Sequence, residues 1–181
     1  MNLLSTLIIL EDNDNFHFAR LLLLIRAFSG KKGNKYINGI TKLVKLDFLL
    51  RYPTYLEYAL KQRGESSVIE IRDYERNSVE SKMIRFKYGP WDPRYRRFIN
   101  SLVAKGLVHV RIDGRTINVG LTEKGSSIAA NLAKSVVYKD IVKRAALLKK
   151  RLDITGTNLM QKIYKWFPEI GNLRIGEIIE L

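Results

Sequence analysis

The chain has 181 residues, with 32 Lys and Arg against 18 Asp and Glu, a formal charge of +14, and 46% apolar residues. That composition fits one domain, or two small ones sharing a core, and excludes wholesale disorder. With no cysteine and only His17 and His109, it excludes disulfide frameworks, thiolate metal sites and cysteine nucleophiles, leaves almost no room for a histidine-rich metal centre, and fits a reducing cytoplasm.

The opening MNLLSTLIIL is apolar, but it lacks the basic start and small-residue cleavage site of a secretory signal. Residues 16–28, FHFARLLLLIRAF, predict a helix apolar almost all round, hence central in a core. Its longest apolar run, Leu21–Ile25, is far short of the 18–20 residues or so that cross a bilayer, so no membrane contact is expected. Ser29–Asn34 is turn-like. INGITKLVKLDFLLRYP then predicts a helix closed by Pro53, and Pro53 opens a second one running to Gly64.

MIRFKY (83–88) alternates like a short strand. Asp92-Pro93 reads as a helix start, with Asp92 as N-cap, and the helix ends at Gly106. Tyr95, Phe98, Ile99, Leu102 and Val103 share its apolar face. LVHVRI and TINVGLT are alternating strands joined by Asp113-Gly114, and Thr122 caps the following helix. Helix, glycine, hairpin and capped helix is the order of a winged helix. Val137, Ile141, Ala145, Leu148 and Leu152, then Leu159, Met160, Ile163, Tyr164 and Phe167, mark two further amphipathic helices. The expected fold is mainly α with a small β wing. A helical, helix–turn–helix-like domain (1–80) packs with a winged-helix domain (81–134) and C-terminal helices (135–181).

The charge is uneven. Six basic residues and no acidic one lie between Arg26 and Leu46, and eight basic residues against two acidic lie between Arg85 and Arg115. Glu65, Glu70, Asp73, Glu75 and Glu80 form an acidic, solvated break between them. Such a distribution points to a polyanion-facing surface. The candidate DNA contacts are Arg94, Arg96 and Arg97 at the start of the recognition helix, Arg111 and Arg115 on the wing, and Lys42 and Lys45. An acidic partner surface would satisfy the same residues.

No phosphate-binding loop, nucleophile elbow or metal-ligand spacing occurs, so no catalytic residue, metal or cofactor is assigned and the chain is read as a non-enzyme. His17 and His109 read as packing residues. Trp91, among Tyr88 and Tyr95, either docks a partner or anchors the strand-to-helix turn. Ile175, Ile178 and Ile179 in the last segment either fold back on the core or dock on a partner.

KLVKLDFLLRYP (42–53), KYGPWDPRYRRFINSLVAKGL (87–107) and NLMQKIYKWFPEI…RIGEII (158–179) resemble the middle component of bacterial ABC-three-component systems. That family includes the small third subunit of Lamassu-type antiphage defence. The resemblance spans most of residues 36–180, and YGPWDPRY is its most specific part. It implies a non-catalytic, cytoplasmic bridging subunit beside an SMC/Rad50-like ATPase and a separate effector, often a nuclease, with DNA at hand. The other reading of the same fold is a free-standing winged-helix transcriptional regulator, which would dimerise on two half-sites.

Overall fold

The computed structural model describes residues 14–30, 33–64, 69–76, 83–86 and 89–179. The leucine-rich run forms α1 (Asp14–Phe28), with Leu21, Leu24 and Ile25 wholly buried and Leu22 and Leu23 nearly so, covering every face. A short strand β1 (Ile37–Asn38) precedes α2 (Ile40–Arg51), α3 (Pro53–Lys61) and a single turn, α4 (Asp73–Arg76). Pro53 sits in the first turn of α3, where a missing N–H costs nothing. Strands β2 (Ile84–Phe86) and β3 (Gly89–Trp91) pair antiparallel, followed by α5 (Tyr95–Ala104), the hairpin β4 (Val108–Asp113) and β5 (Thr116–Leu121), and α6 (Glu123–Leu132). A 3-10 turn (Val136–Tyr138) leads into α7 (Lys139–Leu152), α8 (Gly156–Trp166) and α9 (Pro168–Asn172). The fold is mainly α with a small β wing.

Two local features differ from the sequence reading by a residue or a turn. Asp92 accepts the Arg94 N–H at 2.9 Å, but α5 itself begins at Tyr95, so Asp92 caps the turn leading into the helix. In the hairpin, Asp113 pairs with Thr116, which makes Gly114-Arg115 the two-residue loop. Gly114 has φ +57°, the left-handed backbone that such loops place at their first central residue. Thr122 caps α6 as expected, accepting the Gly125 N–H at 2.9 Å.

β1 pairs with β5, giving a three-stranded sheet of order β1-β5-β4. With α1, α2 and α5 it follows the order helix–strand–helix–helix–hairpin, with residues 53–94 lying between the second and third of these helices. The sheet therefore joins segments that the sequence reading divided at residue 80. One contiguous buried cluster runs from Phe18 through Leu46, Phe98 and Val119 to Leu148 and Ile179. At its centre α2 touches α1, α3, α7, α8 and all three of β1, β3 and β5, so Leu43, Val44, Leu46, Phe48 and Leu49 are buried around its whole circumference.

A charged network fixes α2 against α1 and α5. Asp47 is fully buried and receives Arg20 Nε at 2.7 Å and Nη2 at 3.2 Å from α1, Arg51 Nη2 at 3.5 Å one turn along α2, and the Tyr95 hydroxyl from α5. Arg51 continues to Asp92 at 3.1 Å, and Arg94 closes on the same carboxylate at 2.9 Å. His17 accepts from Arg20 at 3.1 Å and stacks on Phe98. Burial opposes ionisation of Asp47, but the charges of Arg20 and Arg51 outweigh it and hold its carboxyl below the usual range. Tyr95 moves well above 10, through burial and the charge of Asp47.

The final described segment adds to the small sheet. Gly176 donates to the Arg85 carbonyl at 2.8 Å, Arg85 donates to Glu177 at 2.8 Å, and Ile179 donates to Met83 at 2.9 Å. Residues 176–179 thus run antiparallel along the edge of β2. Ile179 is 3% exposed, whereas Ile175 and Ile178 point outward. Of the two roles open for this segment, the fold-back role belongs to Ile179.

Two measurements check this architecture. For Asp92, burial is outweighed by the Arg94 hydrogen bonds and the Arg51 charge, which bring its pKa down from 3.8 to about 2. A depressed folded-state pKa gives stability that is present above the unfolded value and lost as pH falls through the folded one. Urea denaturation will show Asp92→Asn less stable than the parent at pH 6, with the difference shrinking between about pH 4 and pH 2. In the same assay at neutral pH, Ile179→Ala will cost about 2–5 kcal/mol and Ile178→Ala no more than about 0.5 kcal/mol.

Candidate nucleic-acid interface

Helix α5 is amphipathic in the expected register. Tyr95, Phe98, Ile99 and Leu102 are buried, while Arg96, Arg97, Asn100 and Lys105 are exposed. Val103, placed on the apolar face by its spacing, is 41% exposed instead. Arg97 reaches Asp14 at 2.9 Å, with its side chain still 58% exposed; such a surface pair is worth little and leaves the guanidinium open to a phosphate. Arg94 behaves differently. Its guanidinium turns back to both oxygens of Asp92 and lies over the Phe98 ring, so it clamps the approach to α5.

On the hairpin, Arg115 is exposed at the loop and Arg111 is exposed on β4, opposite Asn118 of β5. The arginines read from the sequence as DNA contacts therefore divide. Arg96, Arg97, Arg111 and Arg115 face solvent on the third helix and the hairpin, and Arg94 is engaged within the fold. The hairpin also exposes apolar side chains, Ile112 at 72% and its cross-strand neighbour Ile117 at 37%.

Lys42 and Lys45 do not join this surface. Lys42 is buried, donates to Asp153 at 2.6 Å and sits over the Phe28 ring. Lys45 is 1% exposed and makes no salt bridge among the described residues. Burial alone lowers its pKa from 10.5 to about 8. Charge counting placed both lysines on a solvated face, but α2 has no solvated face. Both are corrected to interior positions.

Trp91 is half-buried at the end of β3, opposite Ile84, with its ring 5.9 Å from the wholly buried Tyr95. It braces the turn into α5; Tyr88 lies outside the described residues. The acidic break is not uniformly solvated either. Glu75 takes both guanidinium nitrogens of the buried Arg144, at 2.6 and 2.7 Å, and Asp140 takes Arg72 at 2.8 Å. Glu65 and Glu80 lie outside the described residues. His109 packs its ring against Tyr36. Among the described residues no group of three or more His, Asp or Glu is placed to hold a metal ion, and no helix is long and apolar enough to cross a membrane.

Two constellations escaped the sequence reading. Asp47 is the only acidic residue in KLVKLDFLLR, and an arginine follows it one turn later; that pairing is the signal that marks a buried ion pair. Asp153 gathers Lys42 and Lys149, and nothing in sequence spacing places residue 42 beside residue 153.

The position of Lys45 has a measurable consequence. Between about pH 8 and 10.5 the unfolded chain holds a proton that the folded chain has released, so stability rises with pH over that interval. Lys45→Met will raise the thermal midpoint at pH 7, the gain will fade toward pH 10.5, and nucleic-acid affinity will be unchanged. Circular dichroism melts and fluorescence anisotropy check the two halves.

No family model matches the chain, and neither a curated protein nor a solved structure matches it.

Proposed function

We propose that the chain is a non-catalytic winged-helix subunit that contacts DNA and works beside an SMC-like ATPase and an effector. One observation carries the DNA part. Exposed arginines lie on the third helix (Arg96, Arg97) and on the hairpin (Arg111, Arg115), the two elements through which a winged helix meets a duplex. Each exposed guanidinium displaces condensed counterions when it meets a phosphate, whatever the sequence.

The subunit part rests on the three segments similar to middle components. It is supported by large apolar side chains left in water: Ile112, Val136 at 83% exposed, Val137 at 77% and Ile175 at 63%. A covered role for these residues is what a bridging subunit supplies. Ile178, outward where the final segment bridges to β2, belongs to the same set. Acting as a bridge, the chain presents its arginines to DNA while its apolar patches hold the ATPase and effector.

Binding to duplexes of unrelated sequence tests the DNA part. Arg96→Ala with Arg97→Ala will weaken affinity alike across sequences and shallow the slope of log K against log salt by up to about 2, roughly 0.9 for each lost phosphate contact. Arg115→Ala will remove up to about one further unit. Unchanged affinity and slope would hand this surface to an acidic protein partner. Co-expression with a coiled-coil ATPase encoded beside it, followed by mass measurement, tests the rest. A homodimer on a palindromic site would favour a transcriptional regulator instead.

A further inference from the structure

The β1-β5-β4 sheet has one face in the core and one face that belongs to no core. Ile37 and Val119 are paired and wholly buried on the first. On the second, the register sets Asn38, Asn118 and Arg111 in one row across the three strands. The next row holds Gly120 between Tyr36 and His109, whose rings meet at 5.0 Å. A Cβ on Gly120 would come within 2.9 Å of both rings, so glycine lets the aromatic pair close over the strand. The ends of α1 and α7 stand across from this face, and a cavity of about 390 Å³ lies between them, within the range that holds one small ligand.

Three features of the cavity select its occupant. Asn118 is 6% exposed, lines the cavity, and its side-chain oxygen has no hydrogen-bond partner. A buried acceptor left unpaired is costly, and a turn of the amide toward the cavity would let it take a ligand N–H group. The lining carries three cations, Lys35, Arg111 and Lys149, against Asp113 and Asp153, and Asp153 already holds Lys149 and Lys42. Tyr36 offers an aromatic surface beside the amide. An amide for a base edge, a ring for a base face and cations for a phosphate together describe one nucleotide.

We propose that this cavity binds a single nucleotide, with the base against Asn118 and Tyr36 and the phosphate toward Lys35 and Arg111. All four bases carry an N–H group on the edge that would meet this acceptor, so the site takes the nucleotide as a class. The nucleotide is either free or the unpaired terminal residue of a DNA strand; the second source rests on the DNA reading given above, the first does not.

The full chain is titrated calorimetrically with each deoxynucleoside monophosphate, and by anisotropy with a blunt duplex and the same duplex bearing a one-nucleotide overhang. Saturable binding of at least one monophosphate is expected, weakened at least tenfold by Asn118→Val and at least fivefold by Arg111→Ala. A preference for the overhang, lost in both variants, assigns the strand end; monophosphate binding with equal affinity for both duplexes assigns the free nucleotide. Asn118→Val will keep or raise the thermal midpoint, since it removes an unpaired amide and places a β-branched residue in a strand. If the midpoint falls, Arg111→Ala alone decides. No saturable binding of any monophosphate and no overhang preference, or binding that ignores both variants, overturns the proposal. Loss of blunt-duplex binding with monophosphate binding retained would overturn the earlier DNA reading and leave this one standing.

Discussion

One buried carboxylate holds the orientation of the three helices that matter most. Asp47 takes a guanidinium from α1, another from its own helix and a hydroxyl from α5, and Arg51 carries the connection on to Asp92 before α5 begins. Burying these charges is expensive, and a well-packed apolar set of the same volume would hold the core as well or better. What hydrogen bonds supply, and leucines cannot, is a fixed rotation. Tyr95 can reach Asp47 only if α5 presents one face inward, and that rotation aims Arg96 and Arg97 outward. Arg94 is drawn into the same network, which explains why three neighbouring arginines have two different roles.

The interior consumes cations and anions nearly in step. Arg20, Lys42, Arg51 and Arg144 are buried against Asp47, Asp92, Asp153 and Glu75, and Lys45 is the buried cation without an ion-pair partner among the described residues. Charges buried in such pairs cancel, so among the described residues the interior takes up little of the excess of +14 that the sequence carries. In the proposed DNA-binding role that excess would draw a polyanion from long range, and the arginines on α5 and the hairpin would set where it settles.

Much of this was legible in the residues, for physical reasons. The period of α5, the cap at Thr122, the proline at the start of α3 and the alternation of the hairpin are local, and local signals survive in sequence. The strand β1 did not show itself, because two residues are too few to display a period; its pairing with β5 is decided across the fold. The bridge that residues 176–179 make to β2 has the same origin. Lys42 and Lys45 misled because helical spacing says which residues share a face, not whether any face stays in water. Asn118 gave no signal at all: an asparagine in an alternating strand looks solvated until the far wall of the cavity is in place.

The distance along the chain between α2 and its partners also sets a timetable. Lys42 must wait for Asp153, 111 residues further on, and Glu75 for Arg144, 69 residues further on. At about 5–20 residues per second, synthesis separates the first pair by on the order of ten seconds. Through that interval α2 is made but several of the elements that cover it are not, so a nascent chain carries a helix that the finished fold buries all round, still partly uncovered. Contacts this remote slow folding, since each must close a long loop before it returns any stability. The helix that organises the finished protein is thus left open to aggregation while the protein is being made.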